Sequence, residues 1–231
     1  MKNIKSFALC LMMLASCVFT SASAQDLPHF GIRLGLDLDF PTSYKYKNGT
    51  TANLFGTGAG FDITGVYHMP LGYNFYFEPG ASIYYNTLDI DVDTYKGIFE
   101  QEYIPLPDGT RKNSMSMRLY GIRIPVLVGY SLPLNNIRVN FFAGPVLQIG
   151  LVARYHVGFK YGEVNFGGSN NAYGDEGLMD RFDVGIRIGG GIEYEKFLFQ
   201  LYGTIGTCDQ ASERHVKMRT SQLNIGIGYN F

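Results

Sequence analysis

The chain has 231 residues, 46% of them hydrophobic, and its 19 basic and 20 acidic side chains leave a formal net charge of −1. That balance excludes the basic face a nucleic-acid binder needs, so no nucleic-acid partner is expected. With Cys10 and Cys17 close to the N-terminus and only Cys208 beyond them, an intramolecular disulfide framework is excluded as well.

Lys2 and Lys5 precede an apolar run from Phe7 to Phe19, and Ala22-Ser23-Ala24 follows. A basic start, a short apolar core and an A-x-A site predict a secretory signal over residues 1–24, leaving residues 25–231 as one domain. The run is too short for a membrane helix, which takes roughly 20 apolar residues. Leu14-Ala15-Ser16-Cys17 resembles an overlapping lipobox that would lipidate Cys17. The apolar run continues past Cys17 to Ala24, which favours cleavage after Ala24.

Beyond the signal, eight segments alternate apolar and polar residues with a period of two, the mark of a strand with two unlike faces. The first sets Phe30, Ile32, Leu34, Leu36, Leu38 and Phe40 against Gly31, Arg33, Gly35, Asp37 and Asp39. The others are predicted near 58–68, 73–86, 118–130, 137–149, 182–194, 197–207 and 223–231. Each supplies the roughly 9–11 residues of a tilted membrane strand. The last, Leu223 to Phe231, alternates to an aromatic end, as the closing strand of a transmembrane barrel does.

Short connections at Met69–Gly72, Ser131–Asn136 and Glu195–Lys196 alternate with long ones at about 41–55, 87–116, 151–180 and 208–216. Short turns on one side and long loops on the other are the outer-membrane arrangement, with both termini in the periplasm. Phe30, Tyr67, Tyr73, Tyr130, Tyr194, Phe197, Tyr229 and Phe231 ring the short-turn end as an aromatic girdle. A soluble eight-stranded barrel would alternate too. However, every lysine after the signal falls in a loop, a turn or a strand end, whereas a water-facing strand face would carry several. The fold class predicted is therefore all-β, an eight-stranded antiparallel up-and-down transmembrane β-barrel in contact with outer-membrane lipid. Pro79, Pro125 and Pro145 fall inside predicted strands, where proline removes a ladder hydrogen bond, so bulges or local breaks are expected there.

Phe77-Glu78-Pro79-Gly80, Tyr120-Gly121-Ile122-Arg123-Ile124-Pro125-Val126-Leu127, Phe142-Ala143-Gly144-Pro145, Phe182-Asp183-Val184-Gly185 and Gly228-Tyr229-Asn230-Phe231 resemble landmarks of the PorT-like outer-membrane β-barrel family. The resemblance covers nearly all of the chain after the signal. It implies the fold and the compartment, prolines at similar points, and no common activity.

Four constellations are candidates for function. Asp37, Asp62, Glu78, Arg123 and Arg187 stand about six to eight residues above the short turns and are expected to meet near mid-membrane, with Arg33, Arg138, Glu193 and His68 below. Eight strands leave a bore only wide enough for side chains, so these charges should pair. That pairing serves either as a plug or simply as packing, and inward glycines such as Gly35, Gly189 and Gly228 make room for it. Asp89, Asp91 and Asp93, with Tyr95 and Glu100, match calcium-loop spacings. Thr94 holds the glycine position, so an acidic strand extension is the better reading.

His156, Ser212, His215 and Ser221 lie in or near long loops without a spacing that fixes a nucleophile–base pair, so no catalysis is indicated. Gly167-Gly168-Ser169-Asn170-Asn171 reads as loop. No cofactor is indicated. Turn signals at Asn48-Gly49 and Pro107-Asp108-Gly109 predict hairpin tips, and Tyr95, Phe99, Tyr103, Tyr155, Tyr161, Phe166 and Tyr173 are loop aromatics suited to contact. The function expected is structural or interactive, through a protein or surface ligand on the long loops. A narrow gated pore is the alternative, and a lipid-modifying enzyme comes third.

Overall fold

The computed structural model describes residues 27–42, 44–46, 51–52, 55–90, 111–161, 163–173, 179–209, 216–217 and 219–231. The predicted signal, Cys17 and the hairpin tips at Asn48-Gly49 and Pro107-Asp108-Gly109 lie outside the described residues. The strands in chain order are β1 (His29–Pro41), β2 (Tyr44–Tyr46), β3 (Thr51–Ala52), β4 (Phe55–Gly72), β5 (Phe75–Ile90), β6 (Arg111–Leu134) and β7 (Ile137–Tyr161). They continue with β8 (Val164–Asn171), β9 (Phe182–Tyr194), β10 (Phe197–Gly206), β11 (Val216–Lys217) and β12 (Thr220–Asn230).

Eight of these, all antiparallel, close into a barrel in the order β1-β4-β5-β6-β7-β9-β10-β12, with β12 returning to β1. The transmembrane β-barrel predicted from the alternation is the fold observed, and each of its eight segments is a barrel strand. Three turns, at Gly72–Asn74, Asn135 and Glu195, use residues with positive φ between 51° and 89°, which lets the chain reverse within a residue or two. At that end Phe30 packs on Tyr67 in a tilted pair, and Phe75 on Tyr130 and Phe197 on Tyr229 edge-on, with centroids 4.7–5.4 Å apart, so the girdle is a contact network. Phe61, Tyr85 and Tyr120 form a second row toward the opposite end.

A walk across pairs from Leu38 runs through Leu223, Gly203, Ile188, Ala143, Val128, Phe77 and Met69. It returns to β1 one step beyond His29, ten residues from its start. Such a stagger tilts the strands and leaves an interior that side chains fill. The period-two alternation sends Leu36, Ile83 and Ile227 outward, 60–71% exposed. Arg33, Asp37, Asp62, Arg123 and Arg187 point into the bore, at most 4% exposed. The core is therefore polar and the surface apolar, the reverse of a water-soluble domain.

At Pro79, Pro125 and Pro145 the ladders break locally, as expected, and no bulge forms at these three: pairing lapses without a register change, at Tyr67–His68 against Glu78–Pro79, at Gly80–Ala81 against Ile124–Pro125, and at Val126–Leu127 against Gly144–Pro145. Each missing proline N–H is absorbed locally and the ladder resumes, which avoids turning the lumen face outward. Register shifts fall elsewhere, for example at Tyr120/Gly121 against Val152/Gly150.

The long connections 87–116 and 151–180 are also partly strand. β7 leaves β9 at Ile149 and continues with β6, then with β8 from Arg154 to Tyr161. Gly167 to Asn171, read as loop, is most of β8. Strand alternation there is broken by glycine and asparagine, so propensity hid a pairing that β7 imposes.

Candidate functional site

Among the described residues, charged side chains converge in the bore. At mid-height Arg123 Nη1 donates to Asp37 Oδ2 at 2.6 Å, and its Nε donates to Gln148 Oε1 at 3.0 Å. Its guanidinium lies 4.1 Å from the Tyr84 ring. Asn224 Nδ2 bridges Asp37 Oδ1 and Asp62 Oδ1, both at 2.8 Å, and Thr64 donates to Asp62 at 2.6 Å. Arg187 donates to Thr204 at 3.3 Å and covers the Tyr202 ring at 4.0 Å. A short apolar layer of Tyr76, Leu127, Phe142 and Tyr202 fills the bore beside this tier.

Of the five residues expected at one level, Asp37, Asp62, Arg123 and Arg187 share it. Glu78 stands apart. It belongs to a lower tier, 3.4 Å from Arg33 and 3.2 Å from His68, with His29 and Tyr76 stacked on either side of His68. Counting from the turns fails because β5 begins at Phe75, only three residues before Glu78. Glu193 accepts from Asn140 and Asn230 in the same lower tier.

Asp39, Asn224, Gln148 and Tyr84 also belong to the network, without a role assigned from the sequence. The parity that marks Asp37 and Arg123 as inward marks these too, and their hydrogen-bonding capacity completes the network.

Space for the network comes from glycine. A Cβ at Gly35 would lie 2.3 Å from Asn224 Nδ2 and 2.4 Å from Asp62 Oδ1. Gly35→Leu is therefore expected to split the Asn224 bridge and destabilise the barrel by about 1–3 kcal/mol, the usual cost of overpacking. The urea midpoint of the refolded protein in lipid vesicles measures it, and an unchanged midpoint would mean the bore has slack.

The outer mouth holds a feature the sequence hid. Tyr173, taken as a loop contact aromatic, is 4% exposed, and its neighbours Ala172 and Met179 are equally buried. Backbone bonds from Ala172 to Ala153 and from Met179 to Ala172 hold Ala172 and Met179 in place there. Burial pushes the Tyr173 hydroxyl up to about 12. Arg181 lies 5.4 Å from its ring and donates to the Leu151 carbonyl. A void of about 20 Å³ remains beneath, between Tyr173 and the mid-bore tier.

The other candidates do not assemble. Asp89 is exposed near the end of β5, opposite Ser116, while Asp91, Asp93 and Glu100 lie outside the described residues. His156 is exposed on β7 and Ser221 pairs with Phe40 on β12; Ser212 and His215 lie outside the described residues.

A family model described as the outer membrane protein beta-barrel domain matches residues 23–209. No curated protein matches. Among solved structures the chain is similar to the attachment invasion locus protein Ail of Yersinia pestis, solved with the heparin analogue sucrose octasulfate. That match has 12% identity over 89% of this chain and 100% of that one, with TM-score 0.39. Neisserial surface protein A matches at 13% identity over 89% and 100%, TM-score 0.42. The outer membrane protein OprG of Pseudomonas aeruginosa matches at 12% over 90% and 97%, TM-score 0.46.

Proposed function

We propose, for a chain that belongs to the outer membrane protein beta-barrel domain family, a structural or interaction role in which a plugged barrel anchors an outer contact surface. The observation that carries this reading is the overrun of β6 and β7. They run 24 and 25 residues, against the roughly 9–11 that a membrane strand needs, and β8 widens the projecting part to three strands. A sheet built out past the barrel, its β6–β7 pairing carried on through the register shifts at Tyr120/Gly121 and Lys112/Ser114, is a platform that suits presentation of a surface to a protein or ligand outside the cell.

The plug half of the reading rests on the mid-bore tier. Asp37, Asp62, Arg123 and Arg187 span the lumen with their carriers on β1, β4, β6 and β9, and Tyr84 and Tyr202 fill against the guanidiniums. Glu78, with Arg33 and His68, closes a lower level. The landmarks around Pro79, Pro125 and Pro145 support a PorT-like barrel, and residues 1–24 serve as its export signal. No catalytic residue is assigned.

Planar-bilayer recording of the folded protein, verified by its faster gel migration when unboiled, tests the reading. Silence is expected. Discrete steps that change in Arg123→Ala would replace the plug with a gated pore, the second function the lumen charges could serve.

A further inference from the structure

On the outward face of β6, Val128, Val126, Ile124 and Ile122 separate the two aromatic rows at Tyr130 and Tyr120. Ten residues at about 3.3 Å each, on a strand tilted by about 40°, rise roughly 25 Å, the height of an outer-membrane apolar band. The next outward residue, Arg118, therefore stands at the headgroup level of the long-loop side. β7 follows the same course. Its outward face is apolar from Ile137 to Val152, and the first charged residue on that face is Arg154.

The register places Arg154 directly opposite Arg118, and both residues are exposed. Like charges in directly opposed positions repel and destabilise a ladder. Neither guanidinium forms an ion pair among the described residues. Their neighbours on the flanking strands are uncharged, with Thr87 beside Arg118 and Asn171 beside Arg154. Thr87 commits its hydroxyl to the Ala59 carbonyl, whereas Asn171 accepts the Tyr173 N–H through Oδ1 and keeps Nδ2 as a donor. Asp89, one pair further out opposite Ser116, sets a single negative charge against the two positive ones. The result is a row of N–H donors with surplus positive charge, at the depth where lipid phosphates lie.

We propose that Arg118 and Arg154, with Asn171 beside them, bind a phosphate of an anionic glycolipid in the outer leaflet. Opposed residues on adjacent strands have Cβ atoms about 5 Å apart, so the two guanidiniums can close on one phosphate from both sides. Each presents paired N–H groups that match its oxygens, and the bound anion removes the repulsion between the arginines. A membrane lipid is favoured over a soluble polyanion because the pair points sideways from the barrel wall, immediately above Tyr85 and Tyr120. A headgroup anchored in the bilayer reaches that position directly. Bound there, the lipid braces the root of the β6–β7 overrun, and the site stands whether or not a partner uses the platform above it.

The test uses the full folded barrel in neutral detergent, titrated with lipid A, a phosphorylated and acylated disaccharide, with bound lipid counted by native mass spectrometry. Saturable binding of a single lipid is expected, weakened about 10–100-fold in Arg118→Gln and in Arg154→Gln, as for loss of hydrogen bonds to a charged group. Dephosphorylated lipid A should bind the wild-type barrel as weakly, an arm that needs no variant to fold. Lys196→Gln, at the opposite rim beside Tyr229, should leave binding unchanged. Equal binding of the dephosphorylated lipid would overturn the proposal, and so would absence of saturable binding. An equal loss in Lys196→Gln would also overturn it, reducing the effect to general charge attraction. Displacement of lipid A by inositol hexakisphosphate at matched concentration would do the same, assigning the arginines to soluble polyanions.

Discussion

Arg123→Leu is expected to destabilise the folded barrel by about 3–5 kcal/mol, because it leaves the Asp37 carboxylate buried without its counter-charge. Three partners lose their contact at once. Asp37 keeps the hydrogen bond from Asn224 but loses its paired guanidinium, Gln148 loses the donor to its Oε1, and Tyr84 loses the guanidinium on its face. The magnitude follows from the tier's geometry. Both side chains of the pair are 1% exposed, so water does not reach in to replace the missing charge. Adding Asp37→Asn to Arg123→Leu removes the orphaned charge and should recover most of the loss, since Asn224 can still bond an amide at position 37. Urea titration in lipid vesicles, read by gel mobility and tyrosine emission, gives both values. If the double variant were as unstable as the single, the cost would lie in lost packing around Tyr84 and not in the ion pair.

Position along a strand was legible in this sequence to the extent that period-two alternation fixes parity. Asp37, Asp62, Arg123 and Arg187 were readable as inward, and so were the glycines beside them. Height was not. A stagger of ten residues around the ring offsets every strand against its neighbour, so Glu78 and Arg123 lie on adjacent strands yet serve different tiers. The overrun of β6 and β7 was hidden for another reason. Residues 151–161 and 111–116 have no membrane to sort their faces, and with no apolar-polar contrast the alternation fades. Tyr173 was misplaced by the rule that aromatics in long connections face outward. It turns inward because the mouth of a closed barrel offers a buried niche, lined by Gly150, where a Cβ would meet its hydroxyl at 2.1 Å.

The second large effect tests which face meets lipid. Leu36 projects from the middle of β1, 68% exposed, between Phe61 on β4 and Ile225 on β12. It lies seven residues from the start of β1 at His29, which at about 3.3 Å per residue along a tilted strand sets it near the bilayer midplane. Leu36→Arg is expected to lower folding stability in lipid vesicles by about 2–4 kcal/mol, the cost of a cation on the lipid face at that depth. Tyr73→Arg, at a turn and 92% exposed, should change stability by about 1 kcal/mol or less, because the headgroup region solvates the charge. The contrast between the two positions matters more than either value. An outward face wetted by water would tolerate arginine equally at both, and Leu36→Arg would then raise solubility without loss of the fold. The apolar belt would have no physical cause in that case, since Leu36, Ile83, Ile188 and Ile227 would each expose a hydrocarbon side chain to water around the whole circumference. Depth-dependent loss at Leu36 and tolerance at Tyr73 would assign the belt to the bilayer and leave water to the two rims.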